Sequence, residues 1–248
     1  MYRLSNEFAN RRFTVTVVGC GGTGGFAAES LCRLLPWHAN LVLVDHDRVE
    51  ERNLLRQNFY CEDLGQLKSE TLAHRLAKKF DRQVGYSTLP VAMTQLAFPG
   101  LVIGCVDNGL ARRDIARAVN GMIHDWSWWV DAGNGENYGQ VLIGNTNVAA
   151  HCFLTKDIYC GLPLPTIQKP ELLNQAPTTR GCVEVAEEQG PTINLTMAAV
   201  VVEVVRQLIA GTCPWVQLYL DMQAGTLVPV LATPEIIKSL SKRKGGKP

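Results

Sequence analysis

Glycine residues near the start of this chain recur at a spacing that can bind phosphate. Residues 19–24 read GCGGTG, so Gly19, Gly21 and Gly24 fit the pattern G-x-G-x-x-G, and Gly22 adds a fourth glycine. The segment follows a β-rich apolar run and opens a stretch with helical spacing. Glycine lets the backbone turn sharply and approach a phosphate, and the N–H groups at the start of a helix attract anions. The pattern predicts an adenine-nucleotide site without distinguishing NAD, FAD, S-adenosylmethionine and ATP.

The residues that follow favour a nucleoside triphosphate. Asp45 ends the next apolar run, at the usual place for a carboxylate that binds ribose hydroxyls. Arginine can bind phosphates bidentately and lysine supplies a point charge, and both stabilise the negative charge that grows as pyrophosphate leaves. A dinucleotide site needs no such cations beside its ribose acid. After Asp45, this sequence does have a cluster of acidic, amide and basic side chains. Its members are Asp47, Asn53, Arg56, Gln57 and Lys68.

The order of these motifs resembles that of the ThiF/MoeB/E1-like activating enzymes. After the glycine loop come D-x-D-x-V at 45–49, N-L-x-R-Q at 53–57, G-x-x-K at 65–68 and D-N at 107–108. The resemblance covers roughly residues 13–210, and it looks closest to the ThiF-like proteins of plasmid-borne PRTRC cassettes. It implies ATP-dependent adenylation of a carboxylate. The implied substrate is the C-terminal glycine of a small ubiquitin-like, β-grasp protein; a carboxyl group on a small molecule or a tRNA base is the alternative.

The resemblance also implies which residues would contact the nucleotide. Asp45 would bind the ribose, and Asp47 belongs to the same motif. Asn53, Arg56 and Lys68 would contact the triphosphate. Each position also has a structural interpretation: Arg56 could form a surface ion pair, and Lys68 could be a surface residue at the start of a helix.

Three further roles concern the D-N turn at residues 107–108 and the loop at residues 53–57. By resemblance, Asp107 would bind Mg²⁺ near the α-phosphate, Asn108 would shape the turn, and Gln57 would support the loop that carries Arg56. The alternative for Asp107 is that it is the N-cap of the following helix. ATP and Mg²⁺ are therefore the expected ligands.

Cys182 is the candidate nucleophile for a second step. Many family members pass the adenylated carboxylate to a cysteine, and residues 179–184 resemble the cysteine segment before the corresponding helix. Arg180 could lower the pKa of the Cys182 thiol, whose thiolate would be the nucleophile. The alternative is an ordinary loop cysteine.

Relatives often bind zinc through two Cys-x-x-Cys pairs; this sequence has no such pair, so structural zinc is not expected. The resemblance also implies a homodimer, for which Arg11 and Arg12 are possible donors to the partner's site.

The elements that would position these residues form a Rossmann-like, doubly wound α/β sheet that is mainly parallel. Acidic residues would then gather at the carboxyl ends of strands, at Asp45, Asp107 and Asp131. Strands are predicted at 13–18, 41–44, 84–89, 101–106 and 126–130, and helices at 24–35, 67–80 and 111–119. A strand at 139–144, a helix from Pro191 to just before Gly211, and two antiparallel C-terminal strands at 215–220 and 226–231 would follow.

The length and composition fit one domain. With 248 residues, of which 46% are hydrophobic, residues 1–248 are interpreted as a single E1-like adenylation domain. Residues 151–190 would be a long crossover loop that carries Cys182, and residues 241–248 a flexible basic tail. The 24 basic and 23 acidic residues give a formal charge of +1, which demands neither nucleic acid nor a membrane surface.

The location and two competing functions complete the expectations. The sequence has no signal-peptide pattern and no uninterrupted run of about 18 apolar residues. Its eight cysteines are scattered, which favours reduced thiols in the cytoplasm. An NAD-dependent oxidoreductase would explain the glycine loop and Asp45 but would leave Asn53, Arg56, Lys68 and Asp107 without a role. A non-catalytic, nucleotide-dependent binding module of E1-like fold is the third hypothesis, and the complete set of motifs argues against it.

Overall fold

The computed structural model describes residues 12–95, 100–120, 127–147, 154–155, 158–159, 161–175 and 191–241. The described strands are β1 (Thr14–Val18), β2 (Asn40–Val44), β3 (Val84–Ser87), β4 (Gly100–Gly104), β5 (Ser127–Asn134), β6 (Tyr138–Gly144), β7 (Leu154–Thr155), β8 (Ile158–Tyr159), β9 (Trp215–Asp221) and β10 (Thr226–Leu231). The described α-helices are α1 (Gly22–Leu34), α2 (Glu51–Leu54), α3 (Lys68–Phe80), α4 (Gly109–Asn120), α5 (Pro165–Gln168), α6 (Pro191–Ala210) and α7 (Pro234–Ser241).

Eight of the strands form one sheet in the order β10-β9-β6-β5-β4-β1-β2-β3. The five strands from β3 to β5 along this order are parallel, whereas β6, β9 and β10 are antiparallel to their neighbours. This confirms the predicted Rossmann-like, doubly wound sheet with antiparallel C-terminal strands. The strand order reverses between β1 and β4, and in such sheets ligands bind outside the carboxyl ends of the strands at that point.

The prediction for β5 was wrong at its end. The strand was expected to stop before Asp131, but it continues to Asn134 because the antiparallel partner β6 pairs with it as far as Asn134 and Gly139. Asp131 therefore lies within the strand and is fully buried. Asp45, in contrast, directly follows the last residue of β2 and lines the cleft.

Helix α7 was missed by the sequence analysis. Its short amphipathic pattern buries Ile237 and Leu240 three residues apart on one side. The sequence did contain a signal for this helix, because Thr233 directly precedes Pro234. In the structure, Thr233 Oγ1 accepts a hydrogen bond from Ile236 N at 3.3 Å. A threonine N-cap followed by proline at the first helical position is a common start of a helix.

The main core lies between the sheet and two long helices. β1 is buried along its whole length, and α1 and α6 pack against each other and contribute residues to the same apolar cluster. By length and mean hydropathy (1.6) α6 would also qualify as a membrane-spanning helix. Its contacts with α1, β5 and β6, and its buried side chains Ile193, Met197 and Val201, make it a core helix of this domain.

A buried ion pair joins α4 to β5. Arg112 Nε lies 3.1 Å from both carboxylate oxygens of Asp131, and both side chains are almost completely buried. Burial raises the pKa of Asp131, and the guanidinium of Arg112 opposes that rise. Arg112 Nη1 also donates to Gln175 Oε1, and Gly109 N donates to the Gln175 carbonyl at 2.8 Å. The pair thus ties residues 170–175 to the start of α4.

We predict that Asp131→Ala lowers the free energy of unfolding by about 3–5 kcal/mol, because it leaves the Arg112 charge buried without its carboxylate. Urea denaturation followed by circular dichroism at pH 7 measures the change. Asp114→Ala is the matched control: its partner Arg117 is on the same helix, 3.4 Å away and largely exposed, so the loss should be less than about 1 kcal/mol. Equal losses in the two variants would contradict the prediction.

Candidate functional site

A cleft of about 1050 Å³ opens at the carboxyl ends of β1 and β4. It lies where the strand order reverses, which is the position expected for a ligand in this type of sheet. Gly24 and Asn53 are the two predicted nucleotide-binding residues that do not line it. The predicted residues that do line it are Gly19, Gly21, Gly22, Asp45, Asp47, Arg56, Gln57, Lys68, Asp107 and Asn108.

The glycines of the loop serve two different purposes. Gly19 has a φ of +89°, and a Cβ there would overlap the Cys105 carbonyl; a Cβ at Gly24 would overlap the carbonyl of Gly19. These two glycines let the loop, β4 and α1 pack closely. Gly21 and Gly22 face the cleft at the start of α1, where no side chain caps the helix. The helix start therefore presents backbone N–H groups and partial positive charge to the cleft.

Asp45 connects the glycine loop to the next turn of the chain. Its Oδ2 accepts a hydrogen bond from Cys20 N at 2.6 Å, and its Oδ1 accepts one from Asp47 N at 2.8 Å. Burial raises the pKa of this carboxyl, and Lys68 opposes the rise. Asp45 lines the cleft, and each carboxylate oxygen has a second lone pair for a further hydrogen bond.

Lys68 is buried and lines the cleft. The alternative that it is a surface residue at the start of a helix is therefore wrong. Its side chain is 9% exposed, and its Nζ lies 3.2 Å from Asp47 Oδ2. The main chain supports the same contact, because Lys68 N donates to the Asp47 carbonyl at 2.9 Å. The next residue, Ser69, donates its hydroxyl to the Asp45 carbonyl at 2.7 Å. The start of α3 is thereby fixed beside Asp45 and Asp47.

Asn53 supports Arg56 from behind. Asn53 Oδ1 accepts a hydrogen bond from Glu50 N at 2.9 Å, and its carbonyl accepts from Arg56 N and Gln57 N at 3.2 and 2.8 Å. Asn53 is 3% exposed and does not reach the cleft surface. Arg56 and Gln57 do reach it. Burial lowers the pKa of Arg56, Arg52 lowers it further, and the negative charge of Asp107 opposes both.

The turn after β4 separates the roles of Asp107 and Asn108. Asn108 Oδ1 accepts from Ala111 N at 2.9 Å, so Asn108, and not Asp107, caps the first turn of α4. Asn108 Nδ2 donates to Asp107 Oδ1 at 3.1 Å. Asp107 is exposed at the cleft wall, and its carboxylate is a type of ligand that Mg²⁺ accepts.

Several cleft residues were not found from the sequence. Asn194, in the first turn of α6, and Asn134, at the end of β5, lie beside the glycine loop. On the antiparallel part of the sheet, Lys169 Nζ donates to Gln140 Oε1 at 2.6 Å and lies 4.6 Å from the centre of the Tyr219 ring. One sequence signal could have identified Asn194: it is an asparagine at a position that the apolar pattern of α6 assigns to the buried side of the helix.

The candidate nucleophile Cys182 lies outside the described residues, as do Cys152 and Cys160. The five described cysteines are free thiols. Burial raises the pKa of Cys20 well above its usual value and that of Cys105 to about 12. The two described thiols next to the glycine loop are therefore poor nucleophiles at neutral pH. The expectation about zinc stays a prediction.

The chain resembles proteins of known type over most of its length. The model of the ThiF family matches residues 9–226. Ubiquitin-like modifier-activating enzyme 5 from Arabidopsis thaliana is 27% identical over 199 residues, which cover 70% of this chain and 45% of that protein. The protein of the same name from Dictyostelium discoideum is 29% identical over 205 residues, covering 73% and 52%. This chain thus spans about half the length of the curated relatives it matches.

Two solved structures share the fold. PaaA superposes with a TM-score of 0.66 at 16% identity, covering 89% of this chain and 73% of PaaA. Escherichia coli MccB with ATP gives a TM-score of 0.59 at 16% identity, covering 93% of this chain and 66% of MccB. At this level of identity the likeness concerns the fold alone.

We predict that Gly22→Ala destabilises the protein more than Gly21→Ala does. A Cβ at Gly22 would overlap the buried side chain of Asn194, whereas one at Gly21 would meet only the Gln57 amide at 3.7 Å or more. Displacing a packed side chain costs about 1–3 kcal/mol. Urea denaturation of the ligand-free protein measures both variants, and an equal loss in the two would show that Gly22 and Asn194 do not pack as described.

Proposed function

Because the chain belongs to the ThiF family, we propose that it binds ATP in this cleft and uses it to adenylate a carboxylate. The observation that carries the proposal is the meeting of two cations, Arg56 and Lys68, with the open start of α1 at Gly21 and Gly22. A helix start and two fixed cations around one cleft form a strong site for several linked phosphates.

Each part of ATP would have a partner in the cleft. Asp45, at the end of β2, would accept hydrogen bonds from the ribose. Beside Gly21 a side chain would meet only the Gln57 amide, at 3.7 Å or more, and no side chain caps the start of α1, so phosphate oxygens can approach its N–H groups there. Lys68 and Arg56 then face the outer phosphates. In the ligand-free protein, Asp47 supports Lys68, and the charge of Asp107 acts on Arg56.

The donor set also fits a magnesium ion. Asp107 would hold Mg²⁺, which usually takes one or two carboxylates and completes its shell with phosphate oxygens and water. When bound, the ion would supply charge stabilisation at the phosphates. Asn108 holds the Asp107 carboxylate in place through the 3.1 Å hydrogen bond, while its own Oδ1 caps α4.

The proposed reaction is a displacement at the α-phosphorus. A carboxylate oxygen of the substrate forms a bond to that phosphorus, the bond from it to the bridging oxygen of the β-phosphate breaks, and pyrophosphate leaves with the electron pair. The products are an acyl-adenylate and pyrophosphate. Arg56 and Lys68 stabilise the charge that develops on the leaving pyrophosphate, and the glycine loop keeps the phosphates oriented for the attack.

We propose that the carboxylate is the C-terminal glycine of a small ubiquitin-like, β-grasp protein. Support comes from the relatives named ubiquitin-like modifier-activating enzyme 5, and from the cleft, which continues past the phosphate residues to Tyr138, Gln140 and Tyr219. That part offers hydrogen-bonding groups for an extended polar chain end. A homodimer and a cytoplasmic location, the latter in keeping with the free thiols of the described cysteines, complete the proposal.

A thioester on Cys182 would follow activation. Its thiolate would attack the acyl carbon of the adenylate, a C–S bond would form, and the bond from that carbon to the phosphate oxygen would break to release AMP. The position of this cysteine in the sequence, shortly before Pro191 at the start of α6, supports the assignment.

We predict that Arg56→Ala and Asp107→Ala each slow ATP–pyrophosphate exchange about 10²- to 10³-fold, because the first removes a positive charge that would stabilise the leaving pyrophosphate and the second removes the carboxylate that would hold Mg²⁺. Exchange is measured with a Gly-terminated ubiquitin-like substrate, and melting temperature confirms folding. Arg52→Ala is the matched control and should exchange near the wild-type rate, since Arg52 lies in α2 just before Arg56 but pairs with Glu50 at 2.7 Å and does not line the cleft. Normal exchange in either cleft variant would remove that residue from the mechanism.

We predict that Cys182→Ala abolishes a reductant-sensitive conjugate with the substrate protein but spares pyrophosphate exchange, because adenylation precedes the attack by the thiol. Non-reducing gel electrophoresis and mass spectrometry detect the conjugate. Cys61→Ala, which removes an exposed cysteine, should leave it intact. A conjugate that persists in Cys182→Ala would show that another group accepts the acyl group and that Cys182 does not form the thioester.

A further inference from the structure

Three polar side chains from three elements form a hydrogen-bonded chain along the wall of the cleft. Thr23 Oγ1, in the first turn of α1, donates to Asn134 Oδ1 at 3.2 Å. Asn134 Nδ2, at the end of β5, donates to Asn194 Oδ1 at 3.1 Å. Asn194 lies in the first turn of α6. The chain therefore joins the helix after the glycine loop, the sheet and the long core helix.

Asn194 extends this chain to the turn that carries Arg56. Its Nδ2 donates to the Arg56 carbonyl at 3.1 Å. Because a carbonyl can only accept, the amide nitrogen must face Arg56, and the amide oxygen is left to accept from Asn134. Since Arg56 N donates to the Asn53 carbonyl at 3.2 Å, the main chain of Arg56 is held at both its N–H and its carbonyl.

Asn194 is a polar residue in a buried and otherwise apolar environment. It is 2% exposed and stands next to Ile193 on a side of α6 that is otherwise apolar. A buried amide is costly unless its groups are hydrogen-bonded, and here both ends are. The side chain also packs directly on Gly22, where a Cβ would overlap it. Asn194 is thus wedged between the glycine loop and the Arg56 turn, the two parts of the proposed phosphate site.

We propose that Asn194 is a positioning residue for adenylation. It fixes the Arg56 peptide relative to the glycine loop, and so sets where the guanidinium meets the outer phosphates of ATP. Its amide donates to Arg56 and accepts from Asn134, and the bond to Arg56 is the one by which it would act on the outer phosphates. The inference rests on the proposed function, since that function assigns Arg56 to the triphosphate.

Nucleotide binding to Asn194→Ala tests the proposal. The loss of one hydrogen bond should raise the Kd of ATP about three- to tenfold. AMP lacks the β- and γ-phosphates that Arg56 would contact, so its Kd should change less than about twofold. Isothermal titration calorimetry with ATP and with AMP measures both constants on the full chain. Thr196→Ala is the matched control: its hydroxyl donates only to the Thr192 carbonyl within the same helix, and both constants should stay at the wild-type values.

A double-mutant cycle separates positioning from a general structural effect. If Asn194 acts through Arg56, adding Asn194→Ala to Arg56→Ala should not weaken ATP binding further. An undiminished loss in the Arg56→Ala background, or equal losses for ATP and AMP, would overturn the inference while wild-type ATP binding still supports the proposed function. A wild-type chain that does not bind ATP would overturn the proposed function itself.

A second variant keeps the test decisive if Asn194→Ala does not fold, as its melting temperature would reveal. Asn134→Ala leaves Asn194 in place and removes the donor that orients its amide oxygen. It should weaken ATP binding in the same direction, by a smaller factor, and leave AMP binding near wild type. Unchanged ATP binding in a folded Asn134→Ala variant would contradict the role of the hydrogen-bonded chain.

Discussion

The carboxylate of Asp45 is the interaction on which the geometry of the cleft depends. It accepts main-chain hydrogen bonds from Cys20, inside the glycine loop, and from Asp47, at the start of the charged segment. Its own carbonyl accepts from the Ser69 hydroxyl. One residue at the end of β2 therefore fixes the glycine loop, the Asp47 turn and the start of α3. Burial disfavours the charged form of this carboxyl, and the main-chain donors together with Lys68 offset that cost.

Charges of opposite sign surround the cleft in the ligand-free protein. Lys68 contacts Asp47, and Arg56 lies within the field of Asp107. Each cation thus has a carboxylate nearby. In the proposed function, a triphosphate would bring more negative charge than these carboxylates provide, and Asp107 would hold the divalent cation that accompanies it.

The sequence was sufficient for the parallel part of the fold and for ten of the residues that line the cleft, since both depend on local patterns. Buried strands read as short apolar runs, and the glycine spacing between a strand and a helix is a local signal. Contacts between distant residues could not be read in this way. Asn53 was expected at the phosphates but supports Arg56 from behind; Asp131 was expected at the end of β5 but is buried within the strand. The hydrogen bonds of Asn194 to Asn134 and Arg56 cross 60 and 138 positions of the sequence. No periodicity or motif encodes such pairs.

The change from parallel to antiparallel strands explains why the cleft extends beyond the residues around the glycine loop. A parallel strand needs a crossover that covers a face of the sheet, whereas antiparallel neighbours can leave one face open. β6 and β9 pair Tyr138 with Asp221 and Gln140 with Tyr219. Residues paired across strands, and residues two apart along a strand, share a face. These four therefore lie on one face, and Gly139, which packs against Met197 of α6, lies on the other. The open face continues the floor of the cleft away from the glycine loop, and Lys169 reaches over it to Gln140 and Tyr219. The reversal of strand order at β1 and β4 thus places the residues around the glycine loop, and the change of strand direction at β6 provides the adjoining polar surface.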